Sequence, residues 1–141
     1  MAQDVFLVGF DGTDPHPIDF ALDRAAKAGA RLLIVHVLEW SPYSFLTTQE
    51  LAERHKTREQ EMARAREVVL KPMIDKAQAA GIAAEGELRY GHVADILCAV
   101  ARDKAATMIF VGRSSRLSQR VFGSAASGVV QCAAVPVVIV P

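Results

Sequence analysis

No apolar run in this chain approaches the ~20 residues that cross a bilayer. The opening residues, Met1-Ala2-Gln3-Asp4, carry no basic stretch of the kind that begins a secretory signal. The expectation is a cytoplasmic protein with no membrane partner. Charge of one sign is missing too: 16 Lys and Arg stand against 16 Asp and Glu. That balance argues against a broad nucleic-acid-binding face and against polybasic attachment to lipid, while leaving room for a small anion site. Cysteine is scarce. Cys98 and Cys132 lack metal-ligand spacing and fall in apolar helical contexts, so they read as buried free thiols rather than a disulfide or redox pair. Internal repeats, low-complexity tracts and interdomain linkers are all lacking, and 141 residues are too few for two ordinary domains. With 51% hydrophobic residues the chain can bury a sizeable core.

The apolar residues fall into short continuous runs separated by helical patterns. Residues 5–10 (VFLVGF) and 31–38 (RLLIVHVL) read as strands covered on both faces. Between them, Asp14 is placed to cap a helix with Pro15 at its first position. That helix runs to about Ala28, carries Ile18, Ala21, Leu22, Ala25 and Ala26 on one face, and ends at Gly29. After an aromatic loop at 39–46, Thr47 and Glu50 have capping-box spacing, which predicts a long charged helix. Pro72 should kink or split it before Gly81. Residues 84–90 form the least apolar strand candidate, which suits an edge; a helix follows at 93–104 and a strand at 107–111. A small-residue helix at 124–133 and a final strand at 135–140 complete the chain. Strands alternating with helices indicate parallel βαβ units, hence one doubly wound α/β domain with helices on both faces of the sheet.

One stretch has the order by which backbones hold phosphate. The strand ending at Val111 and Gly112 leads into a serine- and arginine-rich loop, and Gly123 opens a helix at Ser124. Glycine admits close approach of an anion, and the first-turn N–H groups of Ser124, Ala125 and Ala126 would point at it. Arg113, Arg116 and Arg120 could add charge. In doubly wound sheets ligands sit beyond the strand carboxyl ends where connections depart to opposite faces. If the first strand is central, its Asp11-Gly12-Thr13 turn converges there with the loop from Gly112 to Ser124. Asp11 could then bind a ribose hydroxyl, an adenine amine or a phosphate-bound divalent cation such as Mg²⁺, and it has a second reading as a cap on its own turn. Backbone groups at Val37 could read a purine edge. His36 reads as a core residue with a satisfied ring, His92 as a cap or surface residue, and His16 and His55 as exposed. Trp40, Tyr43 and Phe45 fit either a lid over a purine or a loop anchor.

In these features the chain resembles the universal stress protein family over essentially its full length. The resemblance covers VFLVGFDGT, the strand ending His36-Val37, the Gly91-His92-Val93-Ala94-Asp95-Ile96 turn, Val111-Gly112, Gly123-Ser124 and the closing VPVVIV. It implies an adenine nucleotide alpha hydrolase-like fold with five parallel strands in order 3-2-1-4-5, a bound adenine nucleotide such as ATP, and homodimers paired through Val137–Val140. Asp11, Val37 and Gly112 match the family's adenosine-contacting positions, with Val111 beside them. Nucleotide-binding members share a motif of Gly, two residues, Gly, nine residues, then Gly followed by Ser or Thr. Here Gly112 and Gly123-Ser124 are kept, Ser115 replaces the middle glycine, and seven residues separate it from Gly123. Ala126 stands where a further hydroxyl is expected. The adenosine half of the motif is thus intact and the triphosphate half altered, so the expectation is binding that favours AMP or ADP over ATP, or binding that is lost.

No catalytic residue is assigned. The alternatives are a nucleotide-free adaptor of the same fold serving an unknown protein partner, or a slow ATPase or autophosphorylating protein using Ser114, Ser115, Ser118 or Ser124. The last has no convincing general base and no Walker lysine pattern. A receiver domain would need an acidic phosphoacceptor where this chain has Tyr90-Gly91-His92.

Overall fold

The computed structural model describes residues 3–39, 47–113 and 123–141. Five parallel strands, β1 (Val5–Gly9), β2 (Arg31–Glu39), β3 (Ala84–Gly91), β4 (Met108–Gly112) and β5 (Val137–Val140), form one sheet in the order β3-β2-β1-β4-β5. The continuous apolar runs are explained by burial on both sides. Phe6, Val8, Leu32, Ile34 and Phe110 point to one face, where they meet Ile18, Ala21 and Ala25 of α1 (His16–Ala28) and Leu70 and Ala77 of the long helix. Leu7, Leu33, Val35, Ile109 and Val111 point to the other, against α4 (Val93–Asp103) and α5 (Ser124–Cys132). Alternate residues of a strand face opposite ways, so a strand covered twice cannot spare a polar position. Connections leave β1 toward β2 and leave β4 toward β5, so the switch point lies between β1 and β4.

Several local expectations hold with shifted boundaries. Thr47 and Glu50 make both bonds of the capping box at the start of α2 (Thr48–Ala65). At α1 the first helical residue is His16, one later than expected; Asp14 still serves the terminus, its Oδ1 accepting from the His16 N–H at 3.0 Å. Gly29 closes that helix in the left-handed conformation at φ 69°. The final strand begins at Val137 rather than at residue 135.

One further expectation holds and one is corrected. The long helix is split beside Pro72, as expected, and its last piece ends at Ala79, near Gly81. A π turn, Arg66–Leu70, lies between α2 and α3 (Lys71–Ala79), with the Lys71 N–H reaching back five residues to the Arg66 carbonyl. The wide turn places Pro72 in the first turn of α3, where its missing N–H and fixed φ are tolerated. The correction concerns the cysteines, which are not free thiols: Cys98 of α4 and Cys132 of α5 form a disulfide with a Cα–Cα separation of 6.4 Å. Thirty-four residues separate them in sequence, and it is the parallel packing of α4 against α5 that brings them together.

The charged helix is tied to the β3 edge by Tyr90, whose hydroxyl donates to Glu61 while Arg58 lies over its ring at 5.3 Å. Burial, followed by the hydrogen bond to Glu61 and that carboxylate's charge, pushes the Tyr90 phenol up from 10.0 to about 12. The raised value means this contact contributes fully below pH 10, and its contribution is lost as pH climbs through 12. In a Tyr43→Phe background, phenolate absorbance should report one group titrating near 12, falling toward 10 on Glu61→Gln. A Tyr90 that ionises near 10 in the folded protein would refute the tie.

Candidate functional site

Two turns at the switch point wall a single cleft of about 710 Å³. On one side β1 is followed by Phe10, whose N–H still reaches the Val35 carbonyl at 2.9 Å, and the chain then turns sharply at Asp11-Gly12-Thr13. Oδ1 of Asp11 accepts from the Thr13 N–H at 2.8 Å, the Thr13 hydroxyl at 3.1 Å and the Asp14 N–H at 2.9 Å. An acceptor-only carboxylate is suited to a turn with several inward donors. Asp11 therefore caps its own turn and stands on the cleft wall at once.

Gly12 follows at φ 95°, and a Cβ there would lie 3.2 Å from Cε1 of His36. That imidazole is buried beneath the turn, with Nδ1 2.8 Å from the Phe10 carbonyl, so His36 is the satisfied core residue expected. His92 is exposed and pairs with Asp95 at 3.5 Å; His16 and His55 are exposed as well.

The opposite wall is the end of β4 and the start of α5. The Arg113 N–H donates to the Val140 carbonyl at 2.8 Å, and its own carbonyl accepts from Gly123 at 2.9 Å. These bonds pin the two ends of the polar loop together and set the first turn of α5 against the cleft. Gly123, Ser124, Ala125 and Ala126 all line it, with Val111 and Gly112 below. The first N–H groups of an α-helix lack intrahelical acceptors and carry the positive end of its dipole, which makes this wall suited to an anion. Val37 lines the end of β2, completing an apolar floor.

Asp11, Thr13, Val37, Val111, Gly112 and residues 123–126 thus share one cleft. Gly12 lies behind the wall, against His36, and the Arg113 side chain does not line the cleft. Ser115 and Arg116, like Ser114, Ser118, Arg120, Trp40, Tyr43 and Phe45, lie outside the described residues. Sequence reasoning missed Glu39, Pro17, Val93 and Leu97 as lining residues. Glu39 was within reach: two residues beyond Val37 on one strand, it shares that face. Val93 and Leu97, four apart on α4, share one face of that helix. Among the described residues no group of three His, Cys, Asp or Glu is placed to hold a metal ion, so nothing in this site supports Mg²⁺.

A five-stranded parallel sheet with a cleft at its switch point, walled by an acidic turn and a helix N-terminus, defines a doubly wound α/β protein. The model of the universal stress protein family matches residues 4–141, and the chain belongs to that family. Among solved structures, the universal stress protein UspA from Lactobacillus plantarum superposes with a TM-score of 0.84 at 21% identity, over 100% of both chains. A universal stress protein in complex with cAMP gives 0.69 at 24% identity, over 99% of this chain and 98% of that one. The Archaeoglobus fulgidus protein in complex with dAMP gives 0.68 at 20%, over 100% of each. A search of curated proteins returns no match. At these identities the structural likeness speaks for the fold.

Gly12→Ala tests the wall directly. The left-handed backbone and the contact with His36 should together cost about 1–2 kcal/mol, read by urea denaturation, whereas exposed Gly81→Ala would suffer the backbone strain alone. Equal losses at both positions would show that His36 does not buttress the turn.

Proposed function

We propose that this protein binds an adenine nucleotide in the switch-point cleft and acts as a dimeric regulatory protein of the cytoplasm. The observation that carries the reading is that the Asp11 turn and the first turn of α5 face one cavity. In this reading the base rests on Val37 and Val111, where backbone groups at the strand ends meet its edge. The Asp11 carboxylate accepts from a ribose hydroxyl or the exocyclic amine, and the α5 N–H groups take a phosphate. Support comes from relatives of the same fold described in complex with cAMP and with dAMP. A divalent cation, if involved, would arrive on the phosphates rather than reside in the protein.

A specific observation favours a second reading, the nucleotide-free adaptor. Asp11, Asp14 and Glu39 put three carboxylates on the cleft wall, Ser115 replaces the motif's middle glycine, and Ala126 offers no hydroxyl. Calorimetry with ATP, ADP, AMP and adenosine separates the two, and assay of released phosphate in the same samples reads turnover. The nucleotide reading expects saturable binding, weakened about tenfold by Asp11→Asn, which keeps an acceptor oxygen for the turn but loses the charge. No binding up to millimolar concentration would hand the case to the adaptor.

Pairing through β5 rests on a different feature. This strand is wholly apolar, lies at the sheet edge, and has Val137, Val138 and Ile139 only partly covered. The carbonyls of Pro136 and Val140 bond to β4, so the alternation of a parallel ladder turns the N–H groups of Val137 and Ile139 outward. An unpaired apolar edge invites a further strand. Ile139→Pro removes one outward donor and spares the ladder to β4. It should convert a dimer to a folded monomer by sedimentation, and a wild-type protein that is monomeric at tens of micromolar would end the proposal.

A further inference from the structure

We infer that Cys98 and Cys132 form a thiol–disulfide modification site whose state sets how firmly α5 holds a phosphate-bearing ligand, an inference that rests on the nucleotide reading above. α5 has nine residues, SAASGVVQC, with Gly128 at its centre. So short a helix has little stability of its own, and an interior glycine weakens it further. Its position depends on what it packs against. Ala126 and Val129 are buried on the sheet side, the Gly123 N–H bond to the Arg113 carbonyl holds its start, and along its side runs a seam with α4 made of two rungs.

The first rung is Gly128 against Ala94, so close that a Cβ on Gly128 would overlap that of Ala94. The second, four residues on in both helices, is the Cys98–Cys132 disulfide, with the Cys132 sulfur also 3.7 Å from the Ala94 carbonyl oxygen. The same two helices supply facing parts of the cleft. Val93 and Leu97 line it from α4, with Leu97 adjacent to Cys98, and Ser124, Ala125 and Ala126 line it from α5. A covalent tie at this seam therefore fixes two ligand-facing surfaces relative to each other.

Access to the pair is asymmetric. Cys98 is 4% exposed, whereas Cys132 is the exposed last residue of α5. A thiolate from a dithiol reductant attacks the Cys132 sulfur, forming a mixed disulfide and releasing Cys98 as a thiolate that takes up a proton. The reductant's second thiol then displaces Cys132, which is protonated in turn. The net exchange is one protein disulfide plus one dithiol giving two protein thiols plus one small disulfide; a disulfide oxidant runs it backwards. In a compartment whose thiol pool reduces exposed disulfides, such a pair alternates between states rather than serving as a permanent staple. Reduction leaves α5 on the Gly128 rung, its buried face and the Gly123 N–H bond to the Arg113 carbonyl. Its first-turn N–H groups are then less well ordered for phosphate, while the Asp11 side of the cleft is unaltered.

The test uses the full chain in both redox states, prepared with oxidised glutathione or dithiothreitol and verified by alkylation and intact mass. Calorimetry with AMP should show affinity about five- to tenfold weaker in the reduced protein, whereas adenosine should change less than twofold. Amides 124–132 should exchange hydrogen faster when reduced. Cys132→Ser should match the reduced protein under both conditions, and Cys132→Ala provides a second variant if the serine does not fold. Equal AMP affinity and equal exchange in the two verified states would overturn the inference, as would two alkylatable thiols persisting under oxidant. If AMP, ADP and ATP all fail to bind in either state, the nucleotide reading falls. Hydrogen exchange then decides whether the pair governs α5: faster exchange upholds that part, and unchanged exchange overturns it.

Discussion

Burial of one parallel sheet on both faces is the constraint from which the remaining features follow. A strand such as β1, with Phe6 and Val8 on one side and Leu7 on the other, has no edge or face to give to solvent. Its only polar outlet is its carboxyl end. The same holds for β4, and because their connections run to opposite sides of the sheet the two ends are left facing a shared gap. Among the described residues, Asp11, Asp14 and Glu39 gather there.

Within the gap, two local devices do different jobs. The Asp11 turn is held by its own hydrogen bonds and by the imidazole of His36 beneath Gly12, so it depends on no ligand for its shape. The α5 wall is built otherwise. It is a short helix fixed from outside by the Arg113 backbone at one end and by α4 along its side. One wall is rigid through internal bonds and the other through its neighbours. That contrast, more than any single residue, sets which side of the cleft can respond to conditions.

Much of this was legible in the sequence, and the reasons are physical. The capping box at Thr47 and Glu50 could be read because both partners sit within one turn, and the strands because two-sided burial writes itself as unbroken apolar runs. Convergence of residues 11 and 124 followed from a topological rule once the first strand was placed in the centre. The strand order itself came from family likeness, since crossovers leave no local mark. What escaped notice was set by packing between distant segments. The disulfide joins residues on separate helices, and their apolar settings equally suit free thiols. The split beside Pro72 could be read from the proline itself, whereas the π turn at Arg66–Leu70 that accommodates it lies upstream and has no local signature.

The position of β5 has a consequence for any assembly built on it. Two copies joined through identical edge strands are related by a two-fold axis, and that symmetry runs the paired strands in opposite directions. The result is one continuous ten-stranded sheet, five strands from each copy, whose halves point opposite ways. Since each cleft opens at the carboxyl ends of its own strands, the two mouths look out from opposite poles of such a particle. A single small protein could not cover both at once, and each would be read by its own visitor.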